Sequence, residues 1–98
     1  MSRVVDAEGA HLAAVLRAAD FRNRRVLEVG SGEGRLTRGI APLAESVLAF
    51  DPISEDVTRA RADFPLELSE KVRFEVAQAD EIEIEPQSID LVFFSWSL

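Results

Sequence analysis

The run Glu28-Val29-Gly30-Ser31-Gly32-Glu33-Gly34 gathers two carboxylates, a hydroxyl and three glycines within seven residues. Glycines at alternate positions let the backbone turn tightly and come close to a ligand. A helix that starts at such a turn directs free amides at the ligand and favours a polar or anionic group. The same run also reads as a turn that merely packs a helix against a sheet. Its spacing removes three chemistries. The dinucleotide fingerprint needs a third glycine where Arg35 stands, and a phosphate-cradling loop needs Gly-Lys-Ser/Thr where Gly34-Arg35-Leu36 stands. A serine nucleophile elbow needs glycines in place of Val29 and Glu33. Asp51 follows Gly30 by 21 residues and ends a second apolar run. A carboxylate there can accept from the vicinal hydroxyls of a ribose. It can also be a turn Asp before Pro52, or a helix cap. The glycine loop upstream tips the balance towards ribose.

The elements that must carry these residues alternate in type. Asp6–Asp20 is alanine-rich, with Leu12, Val15, Leu16 and Ala19 at helical spacing, and Asp6 suits its cap. Arg25–Val29 is short, apolar and β-branched, the pattern of a buried strand. Glu33–Ala44 puts Leu36, Ile40 and Leu43 on one helix face, and Pro42 ends or kinks it. Ser46–Phe50 predicts a second strand. Ser54 then caps a helix to about Asp63, with Glu55 and Asp56 in its first turn and Pro65 behind it. Val72–Ala77 predicts a third strand and Ile89–Trp96 a fourth, apolar enough for burial on both faces. Such alternation implies an α/β fold with a parallel sheet, whose ligands sit beyond the carboxyl ends of the strands.

Composition narrows the class. The chain has 98 residues, 47% of them apolar and 30% charged, which suits one small globular unit. Eighteen acidic residues against eleven basic ones give a net charge of −7, which argues against binding a nucleic-acid backbone. There is no cysteine and one histidine, His11, so a disulfide frame, a thiol nucleophile and a His-rich metal site are excluded and no metal is expected. No stretch reaches the ~20 apolar residues of a membrane span. No signal peptide is legible, so a cytoplasmic location is expected. The acidic run Asp80, Glu81, Glu83 and Glu85 alternates with Ile82 and Ile84 and reads first as a solvated segment.

In order and spacing these residues resemble the class I S-adenosylmethionine-dependent methyltransferases. Glu28 to Gly34 resembles their first motif, and Asp51-Pro52-Ile53-Ser54 with the Arg/Ala helix behind it resembles the second. Ala77-Gln78-Ala79-Asp80 resembles the acidic third, and Ile89 to Trp96 the fourth strand and its end. The match covers residues from about 24 to 98. The resemblance implies S-adenosylmethionine as cofactor and methyl transfer to an acceptor that the sequence does not identify. It implies that Gly30, Gly32 and Gly34, with Ser31 in the same loop, line the methionine and ribose parts. Glu28 faces the amino group, directly or through water, and Asp51 holds the ribose hydroxyls. Pro52 or Ile53 packs on adenine, Asp80 accepts from the adenine amino group, and Glu81 supplies a backbone amide. Ser95 and Trp96 border the sulfonium and the substrate mouth. Trp96 reads equally as a core aromatic, and Asp80 as one more solvated acid. No catalytic base is legible, and His11 reads as a surface residue of the lead-in helix.

The expected organisation is a lead-in helix over residues 1–23 and a βαβαββ core over 24–98, the N-terminal cofactor-binding part of a methyltransferase domain. The fold class is a Rossmann-like parallel sheet with flanking helices that stops after its fourth strand, where the family has seven. Ile89–Trp96 is then expected to be a bare apolar edge, a pairing liability. Three accounts are open: a piece of a longer enzyme, a chain completed by self-association or a second chain, or a non-catalytic remnant. The competing functional reading is an interaction module that pairs through this edge.

Overall fold

Arg25–Val29 runs as a strand, as its β-branched composition requires, and lies at the centre of the sheet in the computed structural model, which describes residues 3–6, 12–83, 85 and 87–95. In chain order the elements are strand β1 (Arg3–Asp6), helix α1 (Leu12–Ala18), strand β2 (Arg25–Val29), helix α2 (Arg35–Ile40) and strand β3 (Ser46–Asp51). Helix α3 (Ser54–Asp63), strand β4 (Val72–Val76) and strand β5 (Leu91–Phe94) follow, with single 3-10 turns at Leu66–Leu68 and Ala79–Glu81. The sheet has five strands in the order β1-β5-β2-β3-β4, and every described pairing is parallel. This is the parallel α/β architecture expected from the alternation of segments, and the Rossmann-like fold that the family resemblance implies.

The register sorts the strand residues onto two faces. Val26 and Glu28 of β2 align with Val47 and Ala49 of β3 and with Leu91 and Phe93 of β5. On this face the core forms, with Val15 of α1, Leu36 and Ile40 of α2, and Val57 and Ala60 of α3 packed on it. Phe93 is wholly buried and meets Phe21 edge-to-face with ring centroids 5.7 Å apart. The opposite face carries Leu48, Phe50 and Val92, which are half-buried, because the described helices all contribute to the first face. The expected burial of Ile89–Trp96 on both faces is therefore not met: β5 alternates between buried and half-buried positions.

The first twenty residues depart most from expectation. Asp6 is not a helix cap but the last residue of β1, and the described helix spans Leu12–Ala18 rather than Asp6–Asp20. Arg3–Asp6 pairs in parallel with Leu91–Phe94, while β2 pairs with the other side of β5. Unpaired strand groups cost free energy unless something meets them. Here β1 meets them, so the expected bare edge of Ile89–Trp96 is corrected: the strand within it, Leu91–Phe94, is interior. The lead-in over residues 1–23 is thus a strand and a helix. His11 and Trp96 lie outside the described residues.

Elsewhere the differences are local. Helix α2 is shorter than Glu33–Ala44, ending at Ile40 with Ala41 as its C-cap before Pro42, and Leu43 stands outside the core. Lys71 Nζ donates to the carbonyls of Ala41 (3.3 Å) and Ala44 (2.9 Å) beyond its C-terminus, where a cation is favoured. Ser54 does not cap α3. Ile53 is the N-cap, whose aliphatic side chain has no acceptor for a cap bond, and its N–H goes to the Asp51 carboxylate.

Candidate functional site

Asp51 ends β3, and its carboxylate turns back to the loop after β2. Oδ2 accepts from the N–H of Gly32 at 2.8 Å and Oδ1 from the N–H of Ile53 at 2.9 Å. The side chain is 3% exposed. The second bond makes an Asx-type turn, so Asp51 is a turn residue as well as the link between the second strand and the glycine loop. The loop is held from below by Phe50, whose carbonyl accepts from Gly30 (2.7 Å) and Ser31 (3.0 Å). Gly30, Gly32 and Gly34 have φ of 85°, 57° and 86°, left-handed values that glycine adopts without a Cβ penalty. At Gly34 a Cβ would also come 3.3 Å from Phe74 Cζ and 3.5 Å from the Cβ of Ala60. Gly34 thus packs the loop closely against β4 and α3.

Glu28 precedes the loop and is fully buried in β2. Its Oε1 accepts the hydroxyl of Thr37 from α2, and Oε2 has no partner among the described residues. Burial pushes the Glu28 carboxyl above the ordinary carboxylate range. The Thr37 hydroxyl opposes that shift and the nearby Asp51 charge adds to it. Ser95, just after β5, donates its own proton to the carbonyl of Gly30 at 2.8 Å. Its backbone N–H bonds the Val29 carbonyl at 2.9 Å. Ser95 therefore acts on the start of the loop. Ser31 Oγ, also buried, is a second polar atom without a partner.

A cleft of about 580 Å³ opens at the carboxyl ends of the strands, lined by Val29, Gly30, Asp51, Pro52, Ile53, Ala77, Gln78, Ala79 and Asp80. It brings together five of the expected residues: Gly30, Asp51, Pro52, Ile53 and Asp80. Ile53 is 53% exposed beside it, an apolar surface available to a flat ring. Glu28, Ser31, Gly32, Gly34, Glu81 and Ser95 do not line it. The expected amide of Glu81 is committed, since its N–H bonds the Gln78 carbonyl at 2.9 Å. The Glu81 carboxylate in turn accepts the Gln78 N–H at 2.8 Å and the Gln78 side chain accepts from the Glu81 N–H, a capping box that shapes the turn Ala79–Glu81. Asp80, Glu81, Glu83 and Glu85 are all exposed, as a solvated acidic run requires.

Sequence reasoning missed Thr37. Its signal was present: a glutamate inside an apolar strand needs a buried donor, and Thr37 stands beside Leu36 on the buried side of the following helix.

Residues 26–98 match the methyltransferase domain family. The chain is 32% identical over 80 residues to phosphoethanolamine N-methyltransferase 1 of Triticum aestivum, covering 80% of this chain and 16% of that protein. Its fold is similar to that of the YcgJ protein of Bacillus subtilis, with a TM-score of 0.76 and 25% identity over 85% of this chain and 36% of the other. It is similar also to Haemonchus contortus phosphoethanolamine N-methyltransferase 1, solved with phosphoethanolamine and S-adenosylhomocysteine. There the TM-score is 0.72 at 25% identity, over 84% of this chain and 17% of that one. The chain thus spans well under half the length of each of these relatives. A parallel sheet, a glycine loop tied to a strand-end aspartate, and a family match over the same residues lead to one conclusion: the chain belongs to the methyltransferase domain family, the class I S-adenosylmethionine-dependent methyltransferases.

Proposed function

We propose that the chain binds S-adenosylmethionine across the carboxyl ends of β2 and β3 and the turn after β4, and that it serves methyl transfer to an acceptor. The observation that carries this reading is the Asp51 carboxylate in the cleft wall. Each oxygen has taken one backbone N–H and keeps acceptor capacity, which suits the paired hydroxyls of a ribose. The donor set fits the rest of such a cofactor. Two buried polar atoms without partners, Glu28 Oε2 and Ser31 Oγ, flank the loop and suit a charged amino-acid part. Pro52 and the exposed Ile53 offer an apolar surface for adenine, and Asp80 an acceptor at the cleft rim. When bound, the cofactor supplies a methyl group already activated on a sulfonium, so the protein's task is orientation and exclusion of water. Asp51 and the glycine loop perform the orientation, and Ser95 holds the loop through Gly30. A general base is optional in such chemistry. The pairing of Leu91–Phe94 on both sides favours this reading over a non-catalytic module that pairs through Ile89–Trp96.

Isothermal calorimetry with S-adenosylhomocysteine, adenosine and methionine tests the reading. Binding of the first two, weakened by Asp51→Asn, is expected, with methionine indifferent to that change. Equal loss for all three ligands, or no binding of S-adenosylhomocysteine, would sink it.

A further inference from the structure

A carboxyl with no exposed surface needs an account of its proton. The register neighbours of Glu28, Ala49 on β3 and Phe93 on β5, bring neither side-chain charge nor side-chain hydrogen bond. From α2, the fully buried Thr37 donates its hydroxyl to Oε1. From the end of β5, the Ser95 hydroxyl stands near, with its own proton committed to the Gly30 carbonyl. From the end of β3 comes the one charged neighbour acting on it among the described residues, Asp51, itself an anion. No cation of the described chain compensates Glu28, and Oε2 has no partner. Burial without a counter-ion favours the neutral acid.

We propose that Thr37 is a positioning residue that holds the Glu28 carboxyl ready to exchange its proton for the cationic group of a bound ligand. The inference rests on the cofactor reading above and extends it to a residue and a proton. In the ligand-free chain Glu28 carries the proton. When an ammonium group reaches Oε2, directly or through one water, the O–H bond breaks and the proton leaves to bulk solvent. The remaining carboxylate is then paired with the ammonium. Thr37 contributes in two ways. Its hydroxyl occupies Oε1, so that Oε2 is the oxygen left to receive the cation. As a donor it also stabilises the anion that binding creates. The raised pKa of Glu28 agrees with this geometry.

The test is calorimetry of S-adenosylhomocysteine binding to the 98-residue chain between about pH 5.5 and 7, in buffers of different ionisation enthalpy. An α-amino group stays protonated over that range. The expected result is a net release approaching one proton per ligand and affinity that rises with pH, up to about tenfold per unit for a one-proton linkage. Thr37→Val removes the donor at nearly constant shape and is expected to weaken binding and move the pH dependence upward. Thr37→Ser is expected to restore the wild-type profile, and Glu28→Gln to bind with no proton release. If Thr37→Val fails to fold, carbon NMR of the wild-type glutamate carboxyls decides: Glu28 must pass from protonated to ionised on ligand addition. Proton-neutral binding by the wild type overturns this inference alone. So does a Glu28→Gln variant that releases the same proton, or a folded Thr37→Val variant with the wild-type pH profile. Absence of any binding overturns it together with the cofactor reading.

Discussion

Arg25 and Asp90 clasp the starts of the two central strands, β2 and β5, with four hydrogen bonds. The Arg25 backbone N–H and Nε both reach Asp90 Oδ2, at 2.9 and 3.0 Å, Nη2 reaches Oδ1 at 3.0 Å, and the Asp90 N–H returns to the Arg25 carbonyl at 2.8 Å. The fork fixes the register of the pair at the end of the sheet opposite the cleft, 65 residues apart in sequence.

This clasp titrates. The Arg25 hydrogen bonds hold the Asp90 carboxyl down at about 2. A carboxyl depressed in the folded state stabilises above its ordinary pKa, and that stabilisation is lost as pH falls through the depressed value. Denaturant midpoints measured between about pH 4 and 2 should therefore fall more steeply for the wild type than for Asp90→Asn. Parallel curves would remove Asp90 from the acid response.

Asp51 is a structural acceptor before any ligand arrives. Asp51→Ala leaves the buried Gly32 N–H without its partner and should cost about 1–3 kcal/mol of stability. Asp51→Asn keeps one accepting oxygen and should recover part of it. Urea denaturation of the three proteins measures both steps, and an unchanged midpoint in Asp51→Ala would contradict the bond to Gly32.

Gly32 and Gly34 share the left-handed conformation but should fail differently. Gly34→Ala places a Cβ against Phe74 at a φ of +86°, and should cost about 1–3 kcal/mol of stability. Gly32→Val adds a branched side chain to the loop where Gly32 bonds Asp51, and on the proposed cofactor reading should abolish S-adenosylhomocysteine binding at a comparable stability cost. Thermal melts and calorimetry on both variants separate the effects. Undiminished binding by a folded Gly32→Val would exclude the loop from the site.

Phe93 is core, edge-on to Phe21 and without exposed surface. Phe93→Ala should lose about 3–5 kcal/mol, and Phe93→Lys should unfold the chain rather than improve its solubility. Far-ultraviolet circular dichroism of Phe93→Lys is the check; a native spectrum would place this face of β5 outside the core.

Much of this was legible in local sequence because local physics fixed it. Arg25–Val29 read as a buried strand, and the glycines behind it as a tight turn, whether for a ligand or for packing a helix on the sheet. Asp51 before Pro52 stood at a strand end, open to a ribose, a turn or a helix cap. These features depend on neighbours a few positions away, and so periodicity and side-chain type disclosed them. What remained hidden depends on partners far along the chain. Arg3–Asp6 is too short and too close to an alanine-rich stretch to declare itself a strand; only the waiting edge of β5, some 88 residues on, makes it one. Gly34 packs against Phe74 of a later strand, a contact that no local pattern announces. Thr37 was an unremarked hydroxyl until tertiary packing set it against the Glu28 carboxyl, nine residues away. Sequence determined which residues could hold a nucleoside; folding decided which of their donors and acceptors were already taken, because each buried polar group must find a partner and the nearest is often remote in the chain.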